Sequence, residues 1–174
     1  MSGTRISLVT GGAKSGKSAW AERRVRDWPG TPVYIATAEA GDDEMAARIA
    51  DHRARREGAW QVIEEPRALA RVLRETDGAG PRLVDCLTLW LSNEMLAQHG
   101  DWRAALDDLT AALGAQRAPV VLVTNEVGSG IVPANALARR VQDAAGVVNQ
   151  AMGALADEVV LVVAGQALTI KSRV

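Results

Sequence analysis

Phenylalanine is missing from this chain, and all aromatic residues together reach only 3%. A core built without phenyl rings has to be filled by Leu, Val, Ala and Ile. Cysteine occurs once, at Cys86, which excludes an intramolecular disulfide and points to a reducing compartment. No apolar run approaches the ~18 residues of a membrane-spanning helix. The N-terminal residues do not resemble a secretion signal either, so a cytoplasmic protein without a membrane span is expected. Net charge is also scarce: at −1 the chain offers no basic surface of the kind that holds nucleic acid. What remains is ordinary for a globular protein, with 48% hydrophobic and 24% charged residues. The 174 residues suit a single domain spanning 1–174 with one substantial core.

Against this plain background one segment stands out. Gly11, Gly12, Ala13, Lys14, Ser15, Gly16, Lys17 and Ser18 fit the phosphate-loop pattern G-x-x-x-x-G-K-[ST]. Arg5-Ile6-Ser7-Leu8-Val9-Thr10 precedes it and reads as a short buried strand, and Ala19 to Val25 reads as a helix. That context matters more than the string. A glycine turn between strand and helix aims backbone N–H groups and the positive helix end at a phosphate chain. Lys17 would reach the β- and γ-phosphates, and the Ser18 hydroxyl would ligate Mg²⁺. The chain is therefore expected to bind a nucleoside triphosphate.

Short β-branched runs alternate with longer Ala- and Arg-rich stretches, the pattern of an α/β protein with a mainly parallel sheet. Strands are expected over 5–10, 32–37, 82–85, 119–124 and 158–163, a weaker one near 61–64, and an antiparallel edge strand over 168–171. Helices are expected over 17–27, 42–56, 66–76, 87–98, 102–115 and 135–155. The breaks between them, such as Trp28-Pro29-Gly30 and Gly128-Ser129-Gly130, are turns rather than linkers.

Ligands of such proteins gather at the carboxyl ends of parallel strands. Asp85 ends an apolar strand and is placed to hold Mg²⁺ opposite Ser18. Thr37, leaving the second strand, is placed to touch ligand. Asn125, Glu126, Gly128 and Gly130 follow another strand, in a loop whose glycines serve an active site and an ordinary turn equally well. Cys86 reads as a small buried hydrophobe, and His99 as an exposed loop residue. Arg48, His52 and Arg56 share one helix face at spacings of four. Spacing alone favours a surface histidine among solvated arginines. The chemical alternative is a neutral imidazole that attacks phosphorus while Arg53, Arg55 or Arg56 offsets charge on the phosphate oxygens.

Taken in order, GGAKSGKS, YIATAEAGDDEMAARIADHRARR, LVDCLTLWLSN, VTNEVGSGIVPANALAR and DAAGVVNQAMGALADEVVLVVAGQALTIK resemble the bifunctional adenosylcobinamide kinase/adenosylcobinamide-phosphate guanylyltransferase family. The resemblance runs from Ile6 to Lys171. It implies two reactions: ATP or GTP phosphorylates adenosylcobinamide, and GTP then donates GMP to that phosphate, giving adenosylcobinamide-GDP in cobalamin biosynthesis. It implies that the second step runs through a guanylylated histidine, here His52, with Lys17 as the other catalytic residue. It assigns nucleotide contacts to Gly11 through Ser18, to Ala36, Thr37 and Ala38, to Arg53, Ala54, Arg55 and Arg56, and to Glu64 and Asp85. Lys14 stands where many members carry Arg, which keeps the charge but not the bidentate geometry. A RecA-like fold and a propeller-shaped homotrimer are further implications. The competing enzyme reading is a plain phosphate-loop small-molecule kinase without a covalent intermediate. A nucleotide-switched binding module is disfavoured, because neither Asn-Lys-x-Asp nor Leu-Ser-Gly-Gly-Gln occurs. No aromatic platform for a corrinoid is evident, and Trp90 and Trp102 read as core or interface residues.

Overall fold

The computed structural model describes residues 6–39 and 60–173. Its elements in chain order are β1 (Ile6–Thr10), α1 (Lys17–Arg26), β2 (Val33–Ala36), β3 (Gln61–Glu64), α2 (Leu69–Glu75), β4 (Arg82–Asp85), α3 (Leu87–Leu96), α4 (Trp102–Gly114), β5 (Val120–Val123), α5 (Ala136–Leu155), β6 (Glu158–Val163) and β7 (Gln166–Ser172). The helix expected over 42–56 lies outside the described residues.

The seven strands form one sheet in the order β3-β2-β4-β5-β1-β6-β7. All neighbours run parallel except β7, which returns antiparallel to β6. The reason is in the central strands: β5 reads Val-Val-Leu-Val and is buried on both faces, as a strand covered by helices on each side must be. One face carries Val9, Leu83, Val121, Val123, Val160 and Val162 and packs on Ala21 and Val25 of α1. The other carries Leu8, Ile35, Val84 and Leu122 and packs on α2, α3, α4 and α5. Aliphatic side chains thus do the work that phenyl rings do elsewhere. Trp90 is buried in this second layer, with its indole N–H donating to the Arg67 carbonyl at 2.8 Å. Trp102 packs against the same cluster.

Element limits depart from the expected ones where local hydrogen bonds intervene. Helix α2 starts at Leu69 rather than 66, because the Glu65 carboxylate accepts the N–H groups of Arg67 and Ala68 and holds them in a turn. Helix α3 stops at Leu96; the chain turns away through Ala97 and reaches the left-handed region at His99 (φ 65°), which is exposed as expected. Strand β7 is longer than expected because Ala164 (φ 51°) and Gly165 (φ 76°) make a two-residue turn with both φ positive, the geometry that suits a hairpin's twist. A sequence without Asn-Gly or Asp-Gly at that point hides the turn.

Candidate functional site

Parallel strands deliver their carboxyl ends to one edge, and most of the expected site residues are delivered there. Strand β1 runs into Gly11 to Ser18, β2 into Ala36, Thr37 and Ala38, β3 ends on Glu64, and β4 ends on Asp85. Ala36 pairs in register with both Glu64 and Asp85. His52, Arg53, Ala54, Arg55 and Arg56 lie outside the described residues. The chain leaves the described part at Glu39, just past the carboxyl end of β2, and re-enters at Trp60.

The phosphate loop is shaped by two glycines and held from both sides. A Cβ on Gly11 would collide with the Val162 carbonyl oxygen and come within 2.6 Å of Ser15 Oγ, and Gly16 sits at φ 97°. The Glu126 N–H donates to the Gly11 carbonyl at 3.0 Å, and the Gly165 N–H to the Ser15 carbonyl at 2.8 Å. The loop after β5 and the β6–β7 turn therefore clamp the loop between them. Gly12, Ala13 and Lys14 remain exposed. The first N–H groups of α1 have no acceptor within their own helix, so they are available to an anion. Lys17 is buried at 8% exposure, with Nζ donating to the Gly12 carbonyl at 2.9 Å. Burial lowers its pKa, and the neighbouring Cys86 and Asp85 pull it the other way.

Beside Lys17, the Tyr34 hydroxyl donates to Asp85 Oδ2 at 2.7 Å. Thr37 has a structural part at this edge. Its side chain is fully buried, and its hydroxyl accepts from the Cys86 N–H and donates to the Cys86 carbonyl, each at 2.8 Å. It braces the turn that presents Asp85. Asn93 braces it in turn, donating from Nδ2 to the Thr37 carbonyl at 2.9 Å.

Cys86 is the buried hydrophobe that the sequence indicated. Burial, and then the charge on Asp85, push its thiol up to about 12, so it holds its proton at any physiological pH. Iodoacetamide at pH 8 is expected to leave the native protein unmodified and to label Cys86 only after denaturation, which mass spectrometry would read directly. Labelling of the native protein at the rate of a free thiol would contradict this assignment.

The loop after β5 is resolved by its hydrogen bonds. Thr124 donates to Asn149 Oδ1 at 2.7 Å, and the Asn125 N–H donates to Thr88 Oγ1 at 2.9 Å. Glu126 Oε1 accepts from the Gly128 N–H at 2.7 Å. Since β5 lies between β1 and β4, this polar chain stands between the phosphate loop and Asp85. Composition had left the loop undecided; strand order puts it at the ligand edge.

Among the described residues, no group of three or more His, Cys, Asp or Glu side chains converges to hold a metal unaided. The Ser18 hydroxyl and the Asp85 carboxylate do suit a hard divalent cation that takes its other ligands from phosphate oxygens and water.

Comparison with known proteins places this geometry in context. A family model described as cobinamide kinase / cobinamide phosphate guanyltransferase matches residues 7–170. The bifunctional adenosylcobalamin biosynthesis protein CobP of Pseudomonas aeruginosa is 45% identical over 170 residues, covering 94% of this chain and 96% of that one. The corresponding protein CobU of Salmonella typhimurium is 45% identical over 181 residues, covering 94% and 98%. Among solved structures, a Pyrococcus horikoshii protein superposes with a TM-score of 0.59 at 11% identity, covering 97% of this chain and 86% of that one. A type III secretion ATPase of pathogenic bacteria superposes with a TM-score of 0.53 at 14% identity, covering 90% and 50%. These two likenesses concern the fold alone.

Proposed function

Because this chain belongs to the cobinamide kinase / cobinamide phosphate guanyltransferase family, we propose that it performs both reactions on an adenosylated corrinoid. A nucleoside triphosphate, ATP or GTP, first phosphorylates the hydroxyl of adenosylcobinamide. GTP then transfers GMP to that phosphate, releasing pyrophosphate and giving adenosylcobinamide-GDP. The observation that carries this reading is a phosphate loop clamped by the Glu126 and Gly165 N–H groups, with Lys17 buried against it, in a chain matched to the family over residues 7–170.

Each residue type suits its part. The exposed amides of the loop and the start of α1 would take the phosphate oxygens. Lys17 would exchange its Gly12 carbonyl for the β- and γ-phosphates, offsetting the charge that grows on the departing oxygen. Ser18 and Asp85 would hold Mg²⁺, which neutralises phosphate charge when bound. Glu64 and the backbone from Ala36 to Ala38 would line the nucleotide along the same edge, and the arginines from Arg53 to Arg56 would steady the α-phosphate. His52 would be the nucleophile of the second step.

A cytoplasmic homotrimer completes the reading. Among the described residues no helix is long and apolar enough to cross a membrane. Leu168 and Ile170 on β7 and Ile131 and Val132 after β5 are exposed apolar side chains available to a subunit contact.

The test is turnover with purified protein, adenosylcobinamide, Mg²⁺ and either ATP or GTP. Adenosylcobinamide-phosphate is expected with a suitable donor and adenosylcobinamide-GDP only with GTP. A protein that stops at the phosphate is a plain kinase, and one that makes neither product overturns the proposal.

A further inference from the structure

We infer that Tyr34 is a positioning residue for the metal-binding carboxylate: its hydroxyl pins one oxygen of Asp85 and leaves the other for the cation. The inference rests on the nucleotide-dependent reading above, in which Asp85 holds Mg²⁺.

The geometry is specific. Side chains two apart on a strand share a face, and the registers Tyr34↔Leu83 and Ala36↔Asp85 put Tyr34 diagonally below Asp85 on the α1 side of the sheet. Tyr34 is 3% exposed, and its ring meets Trp60 edge-on at 5.8 Å between centroids. A ring packed in this way carries its hydroxyl to one place, and there it donates to Asp85 Oδ2 at 2.7 Å. Among the described residues, Asp85 Oδ1 accepts no hydrogen bond. Asp85 itself is half-buried, at the carboxyl end of β4, with Tyr34 gripping it from within the strand layer.

A carboxylate free to rotate offers either oxygen to a cation, or both. One that already accepts a phenolic hydrogen bond on Oδ2 offers Oδ1 in one direction, and the metal does not have to order it on binding. Thr37 and Asn93 fix the backbone on which Asp85 sits; Tyr34 fixes the side chain. Together they set both halves of the carboxylate's position before any nucleotide arrives.

Tyr34 is the chain's only tyrosine, which makes a direct test practical. Protein labelled with 3-fluorotyrosine gives a single ¹⁹F resonance. Mn²⁺ with a non-hydrolysable GTP analogue is expected to broaden that resonance beyond detection, whereas the analogue alone or Mn²⁺ with Asp85→Asn protein leaves it sharp. In Tyr34→Phe, which keeps the ring and loses the hydroxyl, Mn²⁺ affinity in the presence of the analogue is expected to fall about tenfold. The Mg²⁺ concentration giving half-maximal phosphorylation should rise by the same factor, and the rate at saturating Mg²⁺ should recover. Affinity for the analogue in EDTA should not move, which a merely structural role would not achieve.

A resonance that stays sharp with Mn²⁺ and nucleotide would overturn the inference. So would Tyr34→Phe protein that binds Mn²⁺ as wild type does. The fluorotyrosine measurement stands even if Tyr34→Phe fails to fold. Neither metal measurement uses the corrinoid, so failure of the proposed reactions would show separately, as wild-type protein that makes no product.

Discussion

Lys17→Met is expected to lower kcat/KM for both half-reactions by about 10²–10³-fold, the loss typical of removing one preorganised charge from a developing anion. Both steps expel a phosphate-borne oxygen, and Lys17 already has its Nζ on the Gly12 carbonyl of the loop that would hold it. The same substitution is expected not to destabilise the fold. Lys17 is 8% exposed, and burial, working against Asp85 and Cys86, lowers its pKa. The unfolded chain therefore binds that proton more tightly than the folded one. Keeping Lys17 charged costs stability at neutral pH, and the cost is relieved as pH rises through the lowered folded value towards 10.5. Met fills similar volume without a charge, so its melting temperature should equal or exceed that of wild type, and this contribution to the rise in stability at alkaline pH should vanish. Steady-state kinetics beside thermal melts at neutral and alkaline pH test both halves. A fall in melting temperature that accounts for the lost activity would show Lys17 to be structural.

His52→Ala is expected to abolish GMP transfer while leaving phosphorylation within about threefold of wild type, since kinase chemistry needs positioning and charge rather than a nucleophile from the protein. In the covalent route an imidazole nitrogen forms a bond to the α-phosphorus of GTP as the bond to pyrophosphate breaks. An oxygen of the corrinoid phosphate then forms the new P–O bond as the P–N bond breaks. Wild-type protein incubated with Mg²⁺ and GTP labelled at the α-phosphate should carry an acid-labile, alkali-stable label, and His52→Ala should carry none. Two in-line displacements also predict retention of configuration at the α-phosphorus, whereas direct transfer inverts it. A His52→Ala enzyme that still makes the GDP conjugate at the wild-type rate would sink the covalent route and leave the nucleotide-binding account standing.

The readable parts of this protein are those whose signal is local. The phosphate loop announces itself because backbone amides, a lysine and a hydroxyl must stand at fixed chain spacing. Strands such as Val120–Val123 announce themselves because a strand covered on both faces has to be apolar throughout. The place of Asp85 was legible as the acid that ends β4, and Cys86 as a small buried neighbour. Limits set by single hydrogen bonds were not legible: the Glu65 carboxylate shortens α2, and an Ala-Gly turn lengthens β7.

Sequence alone determined that the chain folds as a helix-covered, mainly parallel sheet around a nucleotide loop, because hydrophobic periodicity and loop chemistry are written in consecutive residues. Only the tertiary structure decided that Tyr34 reaches Asp85 across 51 positions, that the Thr37 hydroxyl braces Cys86, and that the ends of β5 and β6 clamp the loop. Those contacts join residues distant in the chain. Strand order and register create them, and neither is encoded in any one segment.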